Sequence, residues 1–142
     1  MELGIEQIYN DILTEHIRSN HNKKHLNNPT HTLKGVNPSC GDEIILELIA
    51  QDGLIKDASF TGIGCAISQA STSIMIDLIK GKSIEEALAL GNAFFEMIKG
   101  ERKTEEELEI LEDAIALKDI SHMPARVKCA VLSWHTLEEV KK

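Results

Sequence analysis

The chain is 142 residues long, 42% hydrophobic and 27% charged, with a formal net charge of −8. This length supports one buried core, which predicts a single domain over residues 1–142, and the acidic balance argues against a nucleic-acid partner because the basic pair Arg102-Lys103 is followed by Glu105, Glu106 and Glu107. No apolar run approaches the roughly 20 residues of a bilayer span, and Met1–Glu6 has neither a basic start nor a small-residue cleavage site, so a cytoplasmic protein with no membrane partner is expected.

Ile5, Ile8, Tyr9, Ile12 and Leu13 recur with the period of an amphipathic helix, ending near Arg18. Residues 19–31 are polar, rich in Asn and His, and broken at Asn28-Pro29, which predicts a loop. Thr32–Val36 reads as a short edge strand. Glu43–Gln51 and Leu54–Phe60 flank Asp52-Gly53, whose tolerance of positive φ predicts a hairpin. From Ala66 the period becomes helical through Ile67, Ala70, Ile74, Met75, Leu78 and Ile79, with a stop at Gly81. Ser83-Ile-Glu-Glu86 is a capping box for a helix to about Lys99, and Thr104-Glu-Glu-Glu107 repeats the device for a shorter helix with Leu108, Leu111 and Ile115. Pro124 suits the first position of a last helix, whose apolar stripe is Val127, Val131, Trp134 and Leu137. The expected fold is α+β: a small antiparallel sheet of about three strands in the N-terminal half, covered by about five helices.

The chemistry sits at the junctions between these elements. Cys40 stands in Asn37-Pro-Ser-Cys-Gly-Asp42, Cys65 in Thr61-Gly-Ile-Gly-Cys-Ala66, and Cys129 in Pro124-Ala-Arg-Val-Lys-Cys-Ala130. Gly41 lets Cys40 and Asp42 converge. Gly62 and Gly64 allow a tight strand-to-helix turn, and the helix start after Cys65 favours its thiolate, as Arg126 and Lys128 favour that of Cys129. A single unpaired cysteine is most often a small buried hydrophobe. Three of them at such positions, with Asp42 two residues past the first, point instead to one shared tetrahedral site for a zinc-like ion. An odd cysteine count without a secretory signal argues against disulfides, and no Cys-x-x-Cys pair of a zinc finger is present.

Other polar groups are weaker candidates. His21, His25 and His31 share the polar loop and read as solvated; His122 precedes Pro124, and His135 is expected on the exposed side of the last helix. Arg126 lies three residues before Cys129, where local sequence allows two readings equally: pairing with Asp42 or with a thiolate, or a solvent-facing arginine at the helix start. No Ser-His-Asp order, phosphate-binding glycine loop or His-Glu-x-x-His helix is present. Three thiolates and a carboxylate leave no open position for water, which disfavours a zinc hydrolase.

The segments NPSCGD, FTGIGCAISQASTSIM and MPARVKCAVLSW, in that order, resemble the SufU branch of the IscU-like iron–sulfur assembly proteins, across the chain from the first helix to about Leu137. Cys40, Asp42, Cys65 and Cys129 match the family's four metal or cluster ligands. Lys128 before the third cysteine, where general scaffolds carry histidine, and a longer stretch around residues 100–120 resemble the SufU branch. The Leu-Pro-Pro-Val-Lys chaperone segment of general scaffolds is replaced by Met123-Pro-Ala-Arg-Val-Lys128. The resemblance implies a zinc-dependent sulfurtransferase that accepts persulfide sulfur from a pyridoxal-phosphate cysteine desulfurase of the SufS type, stimulates it, and supplies downstream Suf cluster scaffold proteins. On this reading Cys40 is the sulfur nucleophile and Arg126 assists it. The alternatives are a scaffold holding a transient [2Fe–2S] cluster on the same ligands, which Lys128 weakens, and a purely structural zinc module.

Overall fold

The computed structural model describes residues 11–18, 22–39, 41–101 and 104–141. The start of the first helix, His21, Cys40 and Arg102-Lys103 lie outside these residues. Three strands form one antiparallel sheet in the order β1 (His31–Asn37), β2 (Asp42–Gln51), β3 (Leu54–Ile63). Asp52 and Gly53 turn the β2–β3 hairpin with φ of 56° and 77°, the two positive values their sequence predicts. Ile44, Leu46 and Leu48 alternate onto the buried face of β2, while Glu43 and Ile45 lie on the other face.

β3 runs to Ile63, past its expected end at Phe60. Gly62, expected in the strand-to-helix turn, stays in the ladder at φ +126° opposite Ile44. A Cβ on Gly62 would run into the carbonyl oxygen of Glu43, so only glycine allows the two strands to pair there.

Among the described residues there are five α-helices, α1 (residues 11–18), α2 (Ala66–Ile79), α3 (Ile84–Ile98), α4 (Glu105–Leu108) and α5 (Pro124–Leu137), of which α2 and α5 pack on the sheet. Both predicted capping boxes are present, with Ser83 bonded to Glu86 and Thr104 to Glu107. The Ser83 backbone N–H, then its hydroxyl, hold the Glu86 carboxyl below its ordinary value. That cap is in place above the unfolded pKa and weakens as the pH falls through the lowered one.

After α4 the expected short helix is instead a 3-10 segment, Glu109–His122, interrupted at Glu112 with φ 46°. Leu108, Leu111, Ala114, Leu117 and Ile120 are all buried, and their three-residue spacing suits a 3-10 turn better than an α-helical one. On α5 the buried face carries Cys129, Ala130, Ser133, Trp134 and Leu137, while Val127 and Val131 of the predicted stripe are only partly buried. Trp134 stacks on Phe94 at 4.2 Å and donates to Ser71 Oγ at 3.0 Å. A Cβ on Gly35 of β1 would meet the Thr136 hydroxyl, so this glycine lets α5 lie close across the sheet. His16 of α1 bonds Ser73 of α2 at 2.8 Å, and Asn22 donates to the Ser73 carbonyl at 2.9 Å and to Asp77 at 3.0 Å, which ties the N-terminal segment to α2. Among the described residues no helix is long and apolar enough to cross a membrane.

Candidate metal centre

Three ligand-bearing side chains meet at one end of the sheet. Asp42 begins β2, Cys65 closes the short β3–α2 connection, and Cys129 lies in the second turn of α5. A carboxylate oxygen of Asp42 and the two sulfurs lie within 4.8 Å of one another. Two packing relations produce this convergence. The Glu43–Ile63 register pair sets the start of β2 beside the end of β3, and α5 packs on both α2 and β2.

Asp42 is 0% exposed and Cys129 2% exposed, and Cys65 is partly buried. Asp42 Oδ1 accepts the Cys65 N–H at 2.9 Å, while Oδ2 is buried with no hydrogen-bond partner among the described residues. Burying a carboxylate oxygen with nothing to accept is costly, and a cation at that position removes the cost. The donor set therefore fits a metal ion. Cys65 is the N-cap of α2 and its Sγ accepts the Ser68 N–H at 3.4 Å. Cys129 Sγ reaches the Ala125 carbonyl at 4.0 Å.

The glycines around the centre do different jobs. Gly41 takes φ +72°, the left-handed conformation expected between Cys40 and Asp42. Gly64 instead provides clearance: a Cβ there would lie 2.8 Å from Asp42 Oδ1 and 3.3 Å from Ser68 Oγ.

Among the predicted site residues, Asp42, Cys65 and Cys129 are brought together, and Cys40 lies outside the described residues. The neighbours of Cys40 are described: Asn37 and Asp42 form the register pair that closes the 38–41 connection. Arg126 is exposed at the third position of α5 and is not paired with Asp42, because α5 turns its Cys129 side inward and leaves its start in solvent. Lys128 is exposed as well.

Among the described residues no histidine joins the group of Asp42, Cys65 and Cys129. His25 lies 3.4 Å from Glu47, His31 bonds the Thr30 hydroxyl, and His122 is exposed. His135 is exposed, bonds Glu138 and stacks on Phe95 at 4.4 Å. Among the described residues, Asp42, Cys65 and Cys129 are the only His, Cys, Asp or Glu group spaced to hold a metal. Sequence reasoning missed Asn37 and Ser68, both buried beside these ligands. It also missed Val36 and Ile63, 51% and 69% exposed, which flank Glu43 on the outer face of the sheet.

The chain is similar to known proteins in sequence and in fold. The sequence model of the NifU-like N-terminal domain matches residues 8–130. The chain is 39% identical over 137 residues to the iron–sulfur cluster assembly scaffold protein IscU of Thermotoga maritima, covering 96% of this chain and 94% of that one. It is 38% identical over 136 residues to the zinc-dependent sulfurtransferase SufU of Bacillus subtilis, covering 96% and 90% respectively. A crystal structure of a candidate SUF-system scaffold protein from Fervidobacterium islandicum superposes with a TM-score of 0.85 at 36% identity, over 94% of this chain and 96% of that one. The chain therefore belongs to the NifU-like N-terminal domain family, within its IscU/SufU group of iron–sulfur cluster assembly proteins.

Proposed function

We propose that this chain, read as one domain over residues 1–142, is a zinc-dependent sulfur acceptor of the SufU type. Its donor is a pyridoxal-phosphate cysteine desulfurase, and its sulfur goes on to Suf cluster scaffold proteins. The observation that carries this reading is the buried Asp42 carboxylate, whose Oδ2 has no partner among the described residues, with one of its oxygens and the Cys65 and Cys129 sulfurs all within 4.8 Å of one another. Ligands of one tetrahedral zinc ion lie roughly 3.3–3.8 Å apart, so only a small closure brings this set onto a single ion. A two-iron cluster spreads its ligands over two metals and asks for a wider set. The similarity to the B. subtilis sulfurtransferase points the same way.

Asp42, Cys65 and Cys129 would hold the zinc, with Cys40 as the fourth ligand; two peptide units limit the Cys40–Asp42 Cα separation to about 7 Å. When bound, zinc lowers the pKa of its thiolate ligands and shields them from premature reaction. Cys40 Sγ, as a thiolate, attacks the terminal sulfur of the donor's cysteine persulfide. The sulfur–sulfur bond of the donor breaks, its cysteine leaves as a thiolate, and Cys40 becomes the persulfide. Asp42, Cys65 and Cys129 keep the site assembled meanwhile. Exposed Val36 and Ile63 offer an apolar edge for the donor protein beside the 38–41 connection.

The second reading, a scaffold carrying a [2Fe–2S] cluster as cargo on the same ligands, is favoured by the similarity to the T. maritima scaffold. Metal analysis and a visible spectrum of protein purified without oxygen separate the two. The sulfur-acceptor reading expects one zinc and no colour. A brown protein with iron and labile sulfide would replace it with the scaffold reading.

A further inference from the structure

Among the described residues, six buried side-chain polar atoms have no hydrogen-bond partner; besides the hydroxyls of Ser59, Thr61 and Ser133 these are Asp42 Oδ2, Asn37 Nδ2 and Ser68 Oγ, which belong to a ligand of the metal centre and to two residues next to its ligands. Asn37 is 7% exposed and is the register partner of Asp42 across β1 and β2, at the end of the sheet where the ligands meet. Ser68 is 1% exposed, and its own N–H already bonds Cys65 Sγ. The point in space 2.8 Å from Asp42 Oδ1, above Gly64, is 3.3 Å from Ser68 Oγ. Asp42 supplies an unused acceptor, whereas Asn37 and Ser68 supply unused donors.

A donor buried without an acceptor weakens the fold that holds it. Its presence makes sense where charge is added after folding. The ligand set adds such charge: one carboxylate and two thiolates hold more negative charge than a divalent ion neutralises, and Cys40 as a fourth ligand enlarges the surplus. Buried surplus charge needs hydrogen-bond donors.

We propose that the Asn37 amide and the Ser68 hydroxyl are preorganised donors to the ligand atoms of the metal-loaded centre, and that they set how tightly the metal is held. They are positioning residues, not ligands. The inference rests on the metal-centre part of the function proposed above, and not on sulfur transfer.

The test measures zinc affinity by competition with a chromophoric chelator, and melting of the zinc-free chain, for wild type, Asn37→Leu and Ser68→Ala. Each variant is expected to bind zinc about tenfold to a hundredfold more weakly. The zinc-free melting temperature should be unchanged or higher, because an unpartnered buried donor has been removed. A residue with a merely structural role would instead lower the zinc-free melting temperature. In the cobalt-substituted chain, both variants should also shift the sulfur-to-metal charge-transfer bands. Affinities within about twofold of wild type, or losses of affinity matched by losses of zinc-free stability, would overturn the inference. Ser68→Ala removes one oxygen only and decides the matter if Asn37→Leu fails to fold. A wild-type chain that binds no zinc sinks this inference and the proposed function together, whereas tight zinc binding without sulfur transfer sinks only the latter.

Discussion

Gly62→Ala is expected to remove about 3 kcal/mol or more of folding stability, seen as a fall of about 10 °C in Tm. At φ +126° the glycine occupies backbone space that an L-residue does not reach without strain. The added Cβ also meets backbone, not a yielding side chain: the Glu43 carbonyl oxygen, with the Glu43 carbonyl carbon at 3.0 Å and Ile44 Cα at 3.2 Å. Relief requires β2 and β3 to separate at the Ile44–Gly62 pair, two residues from Asp42 at the start of β2 and one from Ile63, which leads into Cys65. Metal affinity should therefore fall with stability. Gly81→Ala is the control, since Gly81 also has positive φ (+84°) but has nothing within 4 Å of an added Cβ. It should cost only about 1 kcal/mol, the strain of a left-handed helix end. Equal losses in the two variants would show that backbone conformation, and not the clash with Glu43, sets the cost at Gly62.

Asp42→Asn should separate the fold from the metal. Asparagine keeps an oxygen for the Cys65 N–H, which Asp42 Oδ1 accepts at 2.9 Å. It puts an amide in place of the unpartnered Oδ2, which then cannot ligate a cation. Loss of an outer partner of a metal ligand costs about tenfold to a hundredfold in affinity, so loss of a ligand itself should cost at least about a hundredfold. The zinc-free variant should melt no lower than wild type, because the substitution keeps the strand-end hydrogen bond and removes a buried carboxylate oxygen that has no partner among the described residues. Chelator competition and a thermal melt without zinc check both halves. Undiminished affinity would take Asp42 out of the ligand set.

Much of the fold is legible in the sequence because local chemistry and the folded chain agree. Asp52-Gly53 adopts the two positive φ values its hairpin needs, and the capping boxes at Ser83 and Thr104 start helices where they stand. The misses fall where tertiary context overrides the local signal. Gly62 suits the strand-to-helix turn by its local sequence, yet pairing with Ile44 of β2 keeps it in the ladder. The run from Leu108 to Ile120 has its apolar residues every third position, a 3-10 period that is easily taken for a helical one when Ile115 is counted with them. On α5, the small residues Cys129, Ala130 and Ser133 go inside, while the bulkier Val127 and Val131 stay near the surface.

The site was half legible for the same reason. Cysteines at element boundaries, with Asp42 close by, announce a shared centre. The meeting of Asp42, Cys65 and Cys129 depends on strand register and on α5 packing, which no local pattern encodes. Local spacing puts Arg126 on roughly the same helix face as Cys129, but the buried part of α5 begins only at Cys129 and Arg126 is exposed. Asn37 and Ser68 look like ordinary turn and helix-start residues, and only their unpartnered burial distinguishes them.

The most direct measurement is the turnover of a pyridoxal-phosphate cysteine desulfurase on cysteine, with the zinc-loaded chain as acceptor, followed by intact mass of the chain. Wild type should accelerate the desulfurase and gain the mass of one sulfur atom at Cys40. Cys40→Ala should do neither while its fold is retained. Full acceleration by Cys40→Ala, or sulfur gained at another cysteine in wild type, would contradict the assignment of Cys40 as the acceptor.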